Sequence, residues 1–229
     1  MEKKYKLTEE TINVNGSILH RIEALKDFAN IKKGDKGGFI EKEKNLSQRG
    51  DCWVYGDATI YDDAMVCGNA EVYGNARVYY NANVYDDAKV YNYAQVRGNA
   101  EVYDNAKVCG NADVYGIARI YGYAQVCDNA EVCNNAEVYG YSQVSGNAEI
   151  CGDAEITSNS DYILFKNWWS SGRHFTWTKS NNMWKVGCFY GTGEELIDKA
   201  YKDSEKSGRE YEKIVKYVES ILEDNNADV

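Results

Sequence analysis

Gly68 to Tyr91 reads GNAEVYGNARVYYNANVYDDAKVY, four copies of one six-residue phrase. Each copy holds a turn pair, an Ala, a polar residue, a Val and a Tyr. Worked outward in both directions, the frame holds from Val54 to Ile156. Every sixth residue there is Val or Ile, giving eighteen hexads over 108 residues without a slip. The fourth residue after each is Ala, except at Ser142 and Ser160. In an extended chain alternate side chains share a face, so Ala and Val or Ile point one way and their neighbours the other. The two remaining positions are Gly, Asn or Asp in most copies, residues that tolerate the left-handed backbone of a tight corner.

One short strand and one corner cannot bury an apolar face alone. Three hexads close a triangular coil, and coils stack Val on Val and Ala on Ala. Eighteen hexads predict six coils, and at about 4.8 Å per rung the prism is on the order of 29 Å tall. A period of six does not suit an amphipathic helix. These residues match the hexapeptide-repeat family. The resemblance implies a left-handed parallel β-helix and, commonly, a parallel homotrimer. The expected fold is therefore mainly β: a left-handed parallel β-helix over 54–161, an N-terminal β cap over 1–53, and a small C-terminal α+β domain over 162–229.

Ten of the eighteen residues that follow the Val or Ile are Tyr. Residues eighteen apart stack, so Tyr85, Tyr103, Tyr121 and Tyr139 form one column. Such a column either covers its own rungs or faces another subunit, since Tyr is enriched at interfaces. The interface is the expectation here. The stacked cysteines lack histidine partners and read as small residues rather than a metal column.

The ends depart from the repeat. TINVNGSILHRI, Thr11 to Ile22, has two extended runs around Asn15-Gly16, a hairpin signal. Ile40 and Leu46 are six apart, like an imperfect first coil. Beyond residue 161, YILFKNWW, RHFTWTK and NMWKVGCFY read as strands. Thr192 with Glu195 reads as a capping box that starts a helix. A second helix is expected after Gly208, with Tyr211, Ile214, Val215, Val218, Ile221 and Leu222 on one face.

Three stretches carry a closer resemblance: GDKGGFIEKEKNLS (34–47), GNAEVYGNARV (68–78) and WKVGCFYGTGEEL (184–196). They are similar to prophage- and phage-encoded hexapeptide-repeat proteins, which are often labelled acyltransferases or polymer-forming proteins from the repeat alone. A fold-level label of that kind says little about activity.

Charge narrows the partners. The chain carries 26 basic and 36 acidic side chains, net −10. Residues 54–161 hold 5 basic against 16 acidic groups, net −11. Duplex nucleic acid needs a basic stripe, so it is not an expected partner. No run reaches the roughly 18 apolar residues of a membrane span. The N-terminus MEKKYKLTEE lacks the apolar stretch of a signal peptide, and a cytoplasmic protein is expected. None of the seven cysteines forms a C-x-x-C pair, and free thiols are expected.

Hexapeptide acyltransferases place a histidine base beside the coils, and related carbonic anhydrases hold zinc with three. This chain has two histidines, His20 and His174, both outside the coils. No metal and no cofactor is expected, and the reading leans away from an enzyme. The run 162–193 is more suggestive. It contains Lys166, Arg173, His174, Lys179 and Lys185 with no acidic residue before Glu194, and Trp168, Trp169, Trp177 and Trp184. Cations interleaved with flat rings suit a base and a phosphate. The expected ligand-binding set is Arg173, His174, Trp177, Lys179, Trp184 and Lys185. Three functions stay open: a non-catalytic protein that sequesters a small anionic metabolite or nucleotide signal, an acyl-CoA-dependent acyltransferase, and a structural scaffold.

Overall fold

The computed structural model describes residues 2–169 and 172–227. It divides into two compact units, 1–162 and 163–229. The first is a parallel β-solenoid of three sheets built from two-residue strands. Each strand pairs in parallel with the one eighteen residues on, as Val54 with Val72 and Val72 with Val90. The repeat frame is the core: the coil Val and Ile side chains and the coil Ala side chains are buried. Ser142 replaces an Ala inside and satisfies its hydroxyl by donating to the carbonyls of Tyr139 and Ile156, at 2.8 and 3.3 Å. Ser160 does not continue the frame; it is exposed, beyond the last coil strand, Glu155–Ile156.

There are about seven turns rather than six. The extra turn is the stretch before Val54, where Ile40 pairs with Ile60 and Leu46 bridges to Val66. It is the imperfect first coil that the spacing of Ile40 and Leu46 suggests, set at a separation of twenty rather than eighteen and so out of step with the repeat frame. One sheet of the prism is entered through β3 (Lys36–Ile40), which pairs in parallel with the coil, and β2 (Ser17–Ala24) and β1 (Tyr5–Val14) extend it antiparallel beyond β3. The hairpin turns at Asn15-Gly16, both with positive φ, as a two-residue turn between twisted strands requires.

Corners use the left-handed region at their first residue. Gly68 shows why glycine recurs there: a Cβ would come within 2.7 Å of the Asp86 backbone N in the next coil. Outside the prism, Tyr85, Tyr103, Tyr121 and Tyr139 stack with centroids 4.8 to 5.0 Å apart.

The free-thiol expectation is corrected. Cys109 is bonded to Cys127, and Cys133 to Cys151, while Cys52, Cys67 and Cys188 are free. In-register positions on neighbouring rungs put the Cα atoms 4.7 and 4.8 Å apart, inside the range a disulfide spans.

The second unit has a four-stranded sheet in the order Tyr162–Lys166, His174–Thr178, Met183–Val186, Phe189–Gly191, followed by α1 (Gly193–Asp203) and α2 (Glu205–Ala227). The capping box is present: Thr192 Oγ1 accepts from Glu195 N, and Glu195 Oε2 accepts from Thr192 N. The second helix starts four residues earlier than expected, at Glu205 rather than after Gly208. Ser204 accepts from Ser207 N at 3.1 Å, and Gly208 lies inside the helix because a Cβ there would overlap the Tyr201 ring. Among the described residues no helix is long and apolar enough to cross a membrane.

Candidate functional site

The Trp-rich strands form the core of the second unit. Phe175, Trp177, Trp184 and Val186 pack with Leu196 of α1 and with Val215 and Val218 of α2. Trp177 and Trp184 face each other across the sheet as a cross-strand pair, and each is 2 % exposed. Trp177 Nε1 donates to Asn182 Oδ1 at 2.9 Å. Neither indole has a free face for a base. The stacking role expected of them is corrected: they are core residues, because alternation along both strands turns them toward the helices.

The cations of the run do not converge as a set. Lys185 Nζ donates to the Gly187 carbonyl. Lys179 is exposed on the turn that follows its strand, and His174 is half-buried at the start of that strand. Arg173 does reach a cavity. Together with Cys188, Phe189, Lys199, Asp203 and Tyr211 it lines a space of about 280 Å3. Lys199 and Asp203 lie four apart on α1 and so share a face. Burial pushes the Tyr211 phenol above its ordinary value, and the Arg173 guanidinium and Asn167 side chain oppose that shift. The cavity thus offers two cations, a carboxylate, a thiol and two aromatic edges. Lys199 and Asp203 were not singled out in the sequence because they sit on a charged helix face like any other. Cys188 lies within the resembling stretch WKVGCFYGTGEEL.

A second depression lies on the other flank of α2. It measures about 240 Å3, and its lining includes Phe165, Lys166, Trp168, Trp169, Lys213 and Tyr217. The two share a partition, since Trp169 and Tyr211 meet edge to face at 6.1 Å.

The histidines stand apart. His20 lies on β2 with Nδ1 3.0 Å from the Thr8 carbonyl oxygen, a bond internal to the hairpin. His174 belongs to the second unit. The coils present Tyr, Cys, Arg, Lys, Gln and carboxylates on their outer faces.

No family model matches the chain. A search of characterised sequences finds a stretch 36% identical over 61 residues to the Escherichia coli (strain K12) protein described as "Uncharacterized acetyltransferase YdcK". The stretch covers 23% of this chain and 19% of that protein. The coils and this match together fit a hexapeptide-repeat protein. The match spans under a fifth of the relative's length, so what that protein does as a whole does not transfer with it.

Proposed function

We propose that this is a non-catalytic binding protein whose C-terminal unit holds a small anionic metabolite or nucleotide, with Arg173 as its charge anchor. The observation that supports this reading most is the cavity that Arg173 shares with Lys199. A guanidinium recognises phosphate or carboxylate through paired, charge-assisted hydrogen bonds. Asp203 in the same lining favours a ligand that also offers a donor, such as a sugar hydroxyl, over a bare anion. The acidic repeat repels a long polyanion while leaving a compact one free to reach a local basic site. Calorimetry of the full chain against linear and cyclic nucleotides tests it. Binding that Arg173→Ala weakens supports the reading, and no binding below about 100 μM removes it.

A second reading has its own support. The match to an acetyltransferase stretch favours an acyl transfer role in which His174 serves as base. Release of free CoA from acetyl-CoA, abolished in His174→Ala, is its signature; the binding-protein reading expects no such turnover.

Self-association belongs to the proposal as well. The stacked column of Tyr85, Tyr103, Tyr121 and Tyr139 is a flat, half-buried strip suited to a second copy of the same prism. A trimer would scatter light at about three times 25.9 kDa. A monomer at micromolar concentration eliminates it.

A further inference from the structure

Cys127 and Cys133 sit on one coil, the turn of the prism whose strands are Gln125–Val126, Glu131–Val132 and Glu137–Val138. Cys127 is bonded back to Cys109 one coil earlier, and Cys133 forward to Cys151 one coil later. The two disulfides therefore tie the last three coils in series, on two different faces. Eighteen residues beyond Cys127 the first column holds Ser145. Among the described residues the last coil thus has one covalent tie, Cys133–Cys151. In the earlier coils the same columns hold stacked rings, Tyr73 on Tyr91 and Tyr61 on Tyr79.

That placement matters because a stack of coils opens from its ends. Each coil is held by its neighbours, and a terminal coil has one where an inner coil has two. All three sheets of the prism end on the last coil, at Gln143–Val144, Glu149–Ile150 and Glu155–Ile156. The stretch that leaves the prism is fastened to this coil. Gln143 N donates to Asn159 Oδ1 at 2.7 Å, and the Tyr162 hydroxyl donates to the Gln143 carbonyl at 3.2 Å. With Cys133–Cys151 intact, an opened last coil is still a loop closed across a separation of eighteen residues, which limits the disorder it can gain.

We propose that Cys133–Cys151 is a redox latch on the C-terminal end of the prism. Oxidised, it holds the last coil shut. Reduced, it lets that coil and the stretch 157–162 open while the earlier coils stay folded. The reductant is a small-molecule or protein thiol. Its thiolate attacks one sulfur to form a mixed disulfide, and a second reductant thiol releases that one. The protein is left with two thiols, and two reductant thiols have become one disulfide. Access to the sulfurs sets the order. Cys127 is half-buried, whereas Cys133 and Cys151 are each 3 % exposed. Cys109–Cys127 is therefore reduced first and leaves the end closed, and the shielded latch yields second. The latch does not depend on what the Arg173 cavity holds.

The test is hydrogen exchange read by mass spectrometry on the full chain, comparing two double variants, Cys133→Ser/Cys151→Ser and Cys109→Ser/Cys127→Ser. Each removes one bond across the same separation of eighteen residues, so any loss of global stability is alike and cancels in the comparison. Removing the latch should raise amide exchange over 143–162 on the order of 100-fold above the other variant, the loop-entropy effect of one such bond. Residues 59–102 should exchange alike in both. Stepwise dithiothreitol on the wild type gives the same comparison without mutation, should a variant fail to fold. Thiol labelling should find Cys109 and Cys127 first, with 143–162 still protected, and Cys133 and Cys151 later, as that stretch opens. The proposal is overturned if the two variants exchange alike over 143–162, if labelling finds Cys133 and Cys151 first, or if 143–162 stays protected once both bonds are reduced.

Discussion

Cys109 and Cys127 lie on successive coils with Cα atoms 4.7 Å apart and are joined by a disulfide. Cys133 and Cys151 repeat the arrangement on another face. On these two faces the outer column runs through Tyr55, Tyr73 and Tyr91, and through Tyr61, Tyr79, Arg97 and Tyr115, before the cysteines begin. Covalent rungs therefore take over from side-chain stacking toward the C-terminal coils.

The first prediction follows from those bonds. Denatured, unreduced protein should titrate three thiols of seven, those of Cys52, Cys67 and Cys188. Each disulfide closes a separation of eighteen residues, so reduction should cost about 3 kcal/mol per bond by loop entropy. Cys127→Ser should give part of the same loss in urea unfolding. Seven titratable thiols, or a midpoint indifferent to reductant, would remove the staples.

A second prediction tests the repeat register. Ala100 is fully buried at a coil position with room for a methyl group. Ala100→Leu should cost about 1–3 kcal/mol through overpacking. Glu101, one residue on, points outward, where Glu101→Leu should change stability by about 0.5 kcal/mol or less. Equal losses in denaturant unfolding would contradict the inward and outward assignment.

The difference between those two neighbours shows why the prism was legible and the site was not. Inside the coils one spacing repeats, and every Val or Ile of the frame meets the residue eighteen away in the same environment. A single periodicity then fixes strand, face and neighbour together. Ile40 and Leu46 escape the frame because their partners lie twenty residues away. The C-terminal unit has no repeat to multiply its signal. Tryptophans rank alike as ligand stackers and as core, and only the alternation of Phe175 and Trp177 against the helices decides between them. Trp168 and Trp169 are adjacent in sequence, yet one is in water and the other against the core. Lys199 reaches the Arg173 cavity through a helix twenty-six residues downstream, a proximity that no local pattern encodes. The cysteine columns were visible, but their bonding depends on rung spacing and thiol orientation rather than on sequence separation alone.

Alkaline stability should reflect the tyrosine columns. Burial, followed by the nearby Glu101 carboxylate, pushes the Tyr85 phenol up to about 12. Burial, followed by Glu131, whose Oε2 accepts the Tyr115 hydroxyl at 3.2 Å, pushes Tyr115 up to about 12 as well. Both phenols are held neutral in the fold and ionise near 10 when unfolded. A raised folded value means that the native state binds the proton more tightly. Their contribution is therefore fully present below about pH 10 and is lost as pH rises from there through about 12. Ultraviolet titration should show a late phenolate fraction, and the urea midpoint should fall over the same window. Tyr85→Phe and Tyr115→Phe should flatten that fall; an unchanged slope would show that the columns do not couple to pH.

The last prediction concerns Lys4, which is 1 % exposed and, among the described residues, has no carboxylate bonded to its ammonium. Its Nζ donates to the carbonyls of Gly50 and Cys52, at 3.1 and 2.8 Å, and to Cys52 Sγ at 3.3 Å. The Phe28 ring centroid lies 5.1 Å away. Burial lowers the Lys4 pKa, and Cys52 opposes that shift. A cation kept in such a place costs desolvation and is tolerated because its protons are matched by acceptors. Its structural effect is to tie β1 to the start of the coils, across a separation of 48 residues. Lys4→Met preserves length and apolar stem but leaves both carbonyls without that donor, at a cost of about 1–3 kcal/mol. Lys3→Met is the matched control. Lys3 makes an exposed ion pair with Glu43, a contact worth about 0–1 kcal/mol. Urea unfolding of the two variants separates the roles. If Lys4→Met is as stable as wild type, the apolar replacement has compensated for the lost hydrogen bonds, and the buried ammonium is not what fastens the hairpin to the prism.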